Sequence, residues 1–418
     1  MRQLNSVQPA GSVYVLVMQT RIALDSTQLL ADARELLPDA VQLRRRIHIE
    51  PEIGLDLPRT QAKILESLSG LDLKVETGDQ LSSVVATLAG EADGPTLLLR
   101  GDMDALPLDE DSGEEFASSV PGAMHACGHD SHVAMLAGAA RLLHARRRDL
   151  RGNVKFMFQP GEEGHHGAKF CIEEGLLENP KVDAAFALHI SPNHRSGALA
   201  SKPGPLLASA DKLTIVIDGQ GGHASAPHNA IDPIPVACEI VTALQTHITR
   251  TVDIFDPAVL TIGQITAGTT NNIIPPRAEM VGTLRTQSNE TREQVLAGAK
   301  RVADGIAAAH GCVATYSVER GYGPTINDAD FAAYSLDVLG DLIGSDHVTE
   351  LEFPIMAAED WSYVLDRVPG AMVMLGVCPP DVNPEHAHAC HSNHMRIDED
   401  AMAVGIAAHA AMALNYLG

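Results

Sequence analysis

The chain lacks a concentration of positive charge, a CxxC pair and a long apolar run, and each absence removes a class of function. Its 418 residues carry 30 Lys and Arg against 54 Asp and Glu, a net charge of −24. The basic triplets Arg44–Arg46 and Arg146–Arg148 fall within or at the end of helical patterns and read as solvated faces. Nucleic-acid binding needs a basic footprint to neutralise phosphate, so it is disfavoured. Six cysteines, at 127, 171, 238, 312, 378 and 390, are scattered. That spacing argues against a disulfide scaffold and for a reducing, cytoplasmic setting. The N-terminal apolar stretch Val13–Met18 is far short of the roughly 20 residues of a membrane helix and lacks the cleavage site of a secretory signal. No membrane association is expected. Residues 1–20 read as a disordered extension, with Met18 an alternative start.

The composition that is present, 45% hydrophobic and 20% charged, belongs to a soluble globular protein. A chain this long exceeds one ordinary core and implies two domains or a large insertion. Thr27–Ile49 carries Leu29, Leu30, Ala33, Leu36, Leu37, Val41 and Leu43 at helical spacing, with Pro38 dividing it into two helices or kinking one. A second helix is predicted over Pro58–Leu68, and strands over Leu73–Glu76 and Ser83–Ala89. Three apolar strands then end in chemistry. Thr96–Arg100 runs into Asp102 and Asp104, Val154–Gln159 into Glu162 and Glu163, and Ala184–Leu188 into His189. In open α/β sheets ligands bind beyond the carboxyl ends of the strands. The segment Cys127-Gly128-His129, with His132 beyond it, presents a thiol and imidazoles, the preferred ligands of zinc and its neighbours. Asp130 and Ser131 read as the N-cap of a helix over Val133–His144.

After a Pro/Gly/Ser-rich connector at Ser201–Ala210 the texture changes. Strand Leu213–Asp218, helix Pro233–Thr249, strands Ala258–Ile265 and Glu279–Thr286, helix Arg292–Ala309 and strand Cys312–Glu319 give a β-α-β-β-α-β order, the split-βαβ arrangement. Residues 209–319 therefore read as an inserted α+β domain, interrupting an α/β domain made of 21–208 and 320–418. That outer domain resumes with helix Phe331–Gly344 and strand Ala371–Gly376. It closes with an Ala- and Met-rich helix over Glu399–Tyr416, preceded by a loop bearing His386, His388, His391 and His394.

Arg100-Gly-Asp-Met-Asp-Ala-Leu-Pro107, His125-Ala-Cys-Gly-His-Asp130, Gln159-Pro-Gly-Glu-Glu-Gly164, Gly221-Gly-His-Ala224, Gly282-Thr-Leu-Arg-Thr286 and Ala358-Glu-Asp-Trp-Ser362 occur in this order. Together they resemble the M20 metallopeptidase clan, in the amidohydrolase branch of hippurate, N-acyl-amino-acid and auxin-conjugate hydrolases. The resemblance runs from about residue 30 to the C-terminus. It implies a phosphorylase/hydrolase-like catalytic domain with a mixed sheet flanked by helices, and a ferredoxin-like (βαββαβ) inserted lid that makes a homodimer or tetramer. It further implies that Cys127, His129, Glu163, His189 and His391 hold two divalent metals, with Glu162 the general base and Asp104 orienting a ligand. His223 would support the oxyanion, and Asn272 and Arg285 would bind substrate. His391 is taken from the four histidines because the family's last ligand is followed by Ser or Pro just ahead of the final helix.

The implied reaction is hydrolysis of N-acyl-L-amino acids. Paired metals lower the pKa of water from about 15.7 to about 7 and polarise the carbonyl. Adjacent glutamates on an extended loop point apart, so Glu163 can ligate while Glu162 faces the water. A thiolate ligand favours Zn, with Co, Ni or Mn as alternatives. Read alone, Arg285 is either a surface-paired strand residue or a fork for a substrate carboxylate, and the family pattern favours the fork. His165 and His166 directly follow the glutamates, so one of them is expected to line the pocket, whereas His144 and His409 lie in helical patterns and read as structural. Two other readings stand beside the acyl-amino-acid hydrolase: a dipeptidase or carboxypeptidase of the same clan, and a catalytically silent metal-binding scaffold.

Overall fold

The structure, a computed structural model, describes residues 24–418; the extension expected over residues 1–20 lies outside them. The chain divides into two compact units. The larger comprises the chain up to Gly204 with Asn327–Glu352 and Tyr363–Gly418, and the smaller Pro205–Ile326 with Phe353–Ser362. No helix among the described residues is long and apolar enough to cross a membrane.

An eight-stranded mixed sheet lies at the centre of the larger unit. Its order is Lys74–Thr77, Val84–Ala89, Arg151–Gln159, Ala92–Asp102, Ala184–Ser191, Gly370–Gly376, Leu199–Ser201 and Val348–Glu350. The four strands from Arg151–Gln159 to Gly370–Gly376 run parallel, so their carboxyl ends share one edge. Parallel strands are covered on both faces and carry near-continuous apolar sequence; accordingly Leu97, Leu98, Leu99, Phe156, Phe158, Phe186 and Val373 are fully buried.

Helices Ser26–His48, His129–Ala145, Ala329–Ile343 and Met402–Leu417 pack together in the same core. Met402–Leu417 is buried along nearly its whole length. It approaches His129–Ala145 through glycine: a Cβ on Gly405 would lie 2.0 Å from Met135 Sδ, and one on Gly138 2.8 Å from Ile406 Cδ1. That close approach fixes the helix whose first residue is His129.

Two expectations are corrected here. Of the two outcomes expected at Pro38, division into two helices does not occur: the helix is continuous over Ser26–His48. Its buried stripe of Leu29, Ala33, Ala40, Leu43 and Ile47 crosses the proline, and such tertiary packing supplies most of a helix's stability. The Arg44–Arg46 triplet is also not one solvated face. Arg44 is buried, its Nε donating to Asp130 Oδ2 at 3.0 Å and its Nη1 to Glu399 Oε1 at 2.6 Å. Both acids come from distant sequence, so nothing near the triplet announces them.

Asp130 also meets His48, whose Nδ1 lies 2.8 Å from Asp130 Oδ2 and whose Nε2 lies 3.1 Å from Glu110 Oε1. Burial pushes the His48 imidazole down, but Asp130 and Glu110 outweigh it and raise the pKa to about 9.

The smaller unit has its own antiparallel sheet, in the order Ala258–Ala267, Arg277–Thr286, Asp211–Asp218 and Val313–Arg320. Helices Pro233–Thr251 and Asn289–Ala309 bury Val236, Ile240, Leu244, Val295 and Ala299 in one cluster with Leu213, Ile215, Met280 and Leu284. This is the expected ferredoxin-like arrangement. Arg277–Thr286 alternates buried and less buried positions, the period-two signal of a strand with one covered face. A two-residue pairing of Gly222–His223 with Ile273–Ile274 is additional, and segments so short carry no periodicity to foresee it by.

The His48 pKa stands above the roughly 6.5 of an unfolded histidine. Its contribution to stability is therefore complete below about pH 6.5 and is lost as the pH rises through about 9. Thermal melts of wild type and His48→Gln should differ most near about pH 6 and converge towards about pH 10. A gap that stays constant over this range would contradict the assignment.

Candidate metal centre

Three adjacent parallel strands bring their carboxyl ends to one place. Ala92–Asp102 delivers Asp102 and then Asp104, Arg151–Gln159 leads into Glu162 and Glu163, and Ala184–Ser191 carries His189. Cys127 and His129 arrive at the start of helix His129–Ala145. His391 comes from the loop before the last helix, its N–H donating to the Ala126 carbonyl at 2.7 Å.

The expected N-cap at Asp130 and Ser131 is not formed. The helix begins at His129, and Gly128 occupies the cap with φ of +79°. A Cβ there would lie 2.6 Å from Ile190 Cγ1. A left-handed residue so closely approached has to be glycine. Asp130 is engaged by Arg44 and His48 instead, and their charges outweigh its burial and hold its carboxyl well below the usual range.

The ligand atoms of Cys127, His129 and His189 lie within 4.8 Å of one another, as do those of Cys127, Glu163 and His391, and those of His129, Glu162 and Glu163. The cluster thus unites all five expected ligands and the expected base, and Cys127 belongs to two groups. The imidazoles are set for ligation. His129 Nδ1 lies 2.9 Å from the Asp104 carbonyl oxygen, and His189 Nδ1 2.7 Å from that of Ile190. Carbonyl oxygens only accept, so each Nδ1 donates, and each Nε2 is the nitrogen left to face the cluster. His189 Nε2 is 3.5 Å from Cys127 Sγ. His391 Nε2 is 3.2 Å, and His129 Nε2 4.0 Å, from Glu163 Oε1. Atoms bound to a common zinc at about 2.0–2.3 Å stand roughly 3.3–3.8 Å apart, close to these spacings. His129 Nε2 is moreover buried with no hydrogen-bond partner, which is costly unless something answers it. The donor set fits a divalent metal. Burial alone would push His129 down, but Asp102, Asp104 and Glu163 raise it to about 10. The same negative field that holds a proton there attracts a cation.

Asp104 acts through the backbone. Its two carboxylate oxygens accept the N–H groups of Glu162 at 2.9 Å and Glu163 at 3.0 Å. The glutamates therefore sit on a turn, with the Gly164 N–H donating to the Glu162 carbonyl at 2.8 Å, rather than on the expected extended loop. The turn directs both carboxylates into the cluster. Sequence reasoning noted Asp102 and His132 without giving either a role. His132 Nδ1 lies 2.5 Å from Asp102 Oδ1, and its Nε2 accepts the Ile190 N–H at 2.9 Å, so it ties the end of the His189 strand to the end of the Asp102 strand. Arg100 Nη1, 2.6 Å from Asp102 Oδ2, keeps that buried carboxylate ionised against its burial. Cys390 was overlooked, although it directly precedes His391, whose N–H reaches the Ala126 carbonyl beside Cys127.

Elsewhere in the larger unit His166 Nδ1 lies 2.9 Å from Tyr363 Oη. His144 Nε2 accepts the Asp72 N–H at 3.1 Å, and buried His409 meets Phe186 edge to face; neither joins the cluster. In the smaller unit exposed His223 and Asn272 are brought side by side, the Ala224 N–H donating to the Asn272 carbonyl at 3.1 Å. Arg285 lies on Arg277–Thr286, half-buried, and burial lowers its pKa.

Gly128→Ala should cost about 1–2 kcal/mol in backbone strain alone and, through the clash with Ile190, reduce the metal retained after gel filtration. Gly113→Ala is the control, since Gly113 has φ of +78° with nothing within 4 Å; it should show strain in a thermal melt without metal loss. Equal metal content in both variants would refute the placement of Gly128.

Residues 98–415 match peptidase family M20/M25/M40. Thermostable carboxypeptidase 2 of Saccharolobus solfataricus is 37% identical over 393 residues, 93% of this chain and 98% of that protein. N-acetylcysteine deacetylase of Bacillus subtilis is 38% identical over 366 residues, 87% of this chain and 93% of that one. The solved structure of the Bacillus subtilis YXEP protein, described as a dinuclear metal binding peptidase, is 34% identical with a TM-score of 0.79, covering 91% of this chain and 98% of that one. The fold, the converging ligands and these matches agree with the resemblance carried by the motifs, and the chain belongs to peptidase family M20/M25/M40.

Proposed function

We propose that the protein is a dinuclear metal-dependent amidohydrolase that converts N-acyl-L-amino acids into a carboxylate and a free amino acid. The observation that carries this reading is the single thiol, Cys127, common to two ligand groups beside Glu162. Cys127, His129, Glu163, His189 and His391 hold the metals. The dinuclear site of the YXEP protein supports the count of two, and the thiolate favours Zn, Co or Ni over Mn, with Zn the first choice. When bound, divalent metals of this kind polarise a scissile carbonyl and make water a stronger acid.

Glu162 takes a proton from the attacking water and delivers it to the leaving amine, a role worth about 10²–10⁴-fold. Asp104, holding both glutamate N–H groups, keeps the base aimed. The roles of His223 at the oxyanion and of Asn272 and Arg285 at the substrate carboxylate rest on their family motifs, and guanidinium geometry suits a carboxylate. The smaller unit is assigned as the lid and as the surface that makes a homodimer or tetramer. Its edge strand Ala258–Ala267 exposes Val259 and Ile265 beside Ile254 and Phe255, an apolar margin of the kind oligomers cover.

Carboxypeptidase activity is the second reading, supported by the Saccharolobus relative. Initial rates on N-acetyl- and N-benzoyl-amino acids, compared with dipeptides, separate the two, and a preference for dipeptides would overturn the first. Chelation should abolish turnover, and added Zn²⁺ or Mn²⁺ should restore it. Glu162→Gln should lower kcat by about 10²–10⁴-fold with metal content and circular dichroism unchanged. Full activity in that variant would remove the proposed base, and bound metal without turnover on any amide would leave only a metal-binding scaffold.

A further inference from the structure

His132 reads in the sequence as one more imidazole of the ligand segment, yet the proposed reaction gives it no part. The ligand atoms of Asp102, His129 and His132 also lie within 4.8 Å of one another, so proximity alone would allow this trio a metal. Its bonding does not. The Ile190 N–H donates to His132 Nε2 at 2.9 Å. A backbone N–H only donates, so Nε2 is the accepting nitrogen and Nδ1 carries the ring proton. Nδ1 directs that proton to Asp102 Oδ1 at 2.5 Å. Both nitrogens are thus engaged within the protein. The other oxygen of Asp102 faces Arg100 Nη1 at 2.6 Å, a positive charge that opposes a cation beside it.

These bonds form one line across the sheet edge. Arg100 Nε donates to Gln159 Oε1 at 2.9 Å, so the line runs from Gln159 through Arg100, Asp102 and His132 to Ile190. It crosses the ends of three neighbouring parallel strands, and Arg100, Asp102, His132 and Gln159 are all buried. Its His132 end meets two of the candidate ligands. Ile190 directly follows His189, and the His132 and His189 rings lie edge to face with centroids 4.8 Å apart. His129 is one helical turn before His132, its ring centroid 5.4 Å away. Among the ligand groups His189 occurs only with Cys127 and His129, and His391 only with Cys127 and Glu163. The two metals therefore differ in what supports them.

We propose that His132 is a positioning residue for one metal alone, the one held by Cys127, His129 and His189, and that it acts by fixing the end of the His189 strand through the Ile190 N–H. The inference rests on reading the cluster as dinuclear. The ligands of the other metal have supports of their own. The Glu163 N–H donates to Asp104 Oδ2 at 3.0 Å, and the His391 N–H to the Ala126 carbonyl at 2.7 Å. Partners that orient a ligand in this way are worth about 10–100-fold in metal affinity.

The experiment titrates the full chain, stripped with chelator, with Zn²⁺ against a chromophoric competitor, and counts bound metal by elemental analysis after gel filtration. Wild type should bind two Zn²⁺. His132→Phe keeps a ring and removes both bonds; it should weaken one Zn²⁺ by about 10–100-fold and leave the other unchanged. The amide of His132→Gln offers an N–H to Asp102 and an oxygen to Ile190, so this variant should fall between wild type and His132→Phe. Where His132→Phe does not fold, His132→Gln carries the same comparisons. Two double variants separate positioning from general loosening of the fold. Added to His189→Ala, His132→Phe should weaken binding little further, because the ligand it positions is gone. Added to His391→Ala it should act in full, because that ligand belongs to the other metal. Equal weakening of both Zn²⁺, weakening of neither, or full additivity with His189→Ala would each overturn the proposal. No substrate enters these measurements. Two Zn²⁺ in wild type without amide turnover refute the proposed reaction alone, two Zn²⁺ that His132→Phe weakens together refute the positioning role alone, and a wild type that binds none refutes both.

Discussion

A buried carboxylate has to be answered by a cation or by hydrogen-bond donors, and that requirement organises the carboxyl edge of the larger sheet. Asp102, Asp104, Glu162 and Glu163 meet there beside a thiol. Each is answered differently: Asp102 by Arg100 and His132, Asp104 by two backbone N–H groups. His129 Nε2 has no hydrogen-bond partner, and Glu163 Oε1 faces the imidazoles of His391 and His129. These two atoms are aimed at the cluster, and Asp102 and Asp104 hold the frame that aims them. This division separates residues that would touch metal from residues that position them.

The frame is held by contacts made far from the chemistry. Glycines at 138 and 405 let two helices approach closely enough to set the start of His129–Ala145. Asp130, next to a candidate ligand, is fastened to Arg44 and His48 on another helix. His132 joins the ends of two neighbouring strands. Carboxylates and imidazoles placed this way keep their orientation when a proton or cation leaves the cluster, which is what a catalytic centre built from sequence-distant residues requires.

The strand ends that carry Asp104, Glu163 and His189 were legible because parallel strands print themselves as apolar runs, and the residue after such a run falls on the ligand-binding edge. The βαββαβ order of residues 209–319 was legible for a related reason, since its alternating strands and amphipathic helices each bury one face. Where reading failed, a partner lay far away in the chain. Arg44 looks solvent-facing until Asp130 and Glu399 are brought to it, and Asp130 looks like a cap until its carboxylate is taken by Arg44 and His48.

The sequence by itself determined the fold class, the residues available as ligands and the sheet edge at which they gather, because these follow from local periodicity and residue chemistry. Only the tertiary structure decided which nitrogen of His129 and His189 faces the cluster, that Glu162 and Glu163 share a turn held by Asp104, and that the His391 N–H reaches the Ala126 carbonyl. Those are matters of approach between segments distant along the chain. Local pattern carries no record of such distances; they arise from how the helices and strands close on one another.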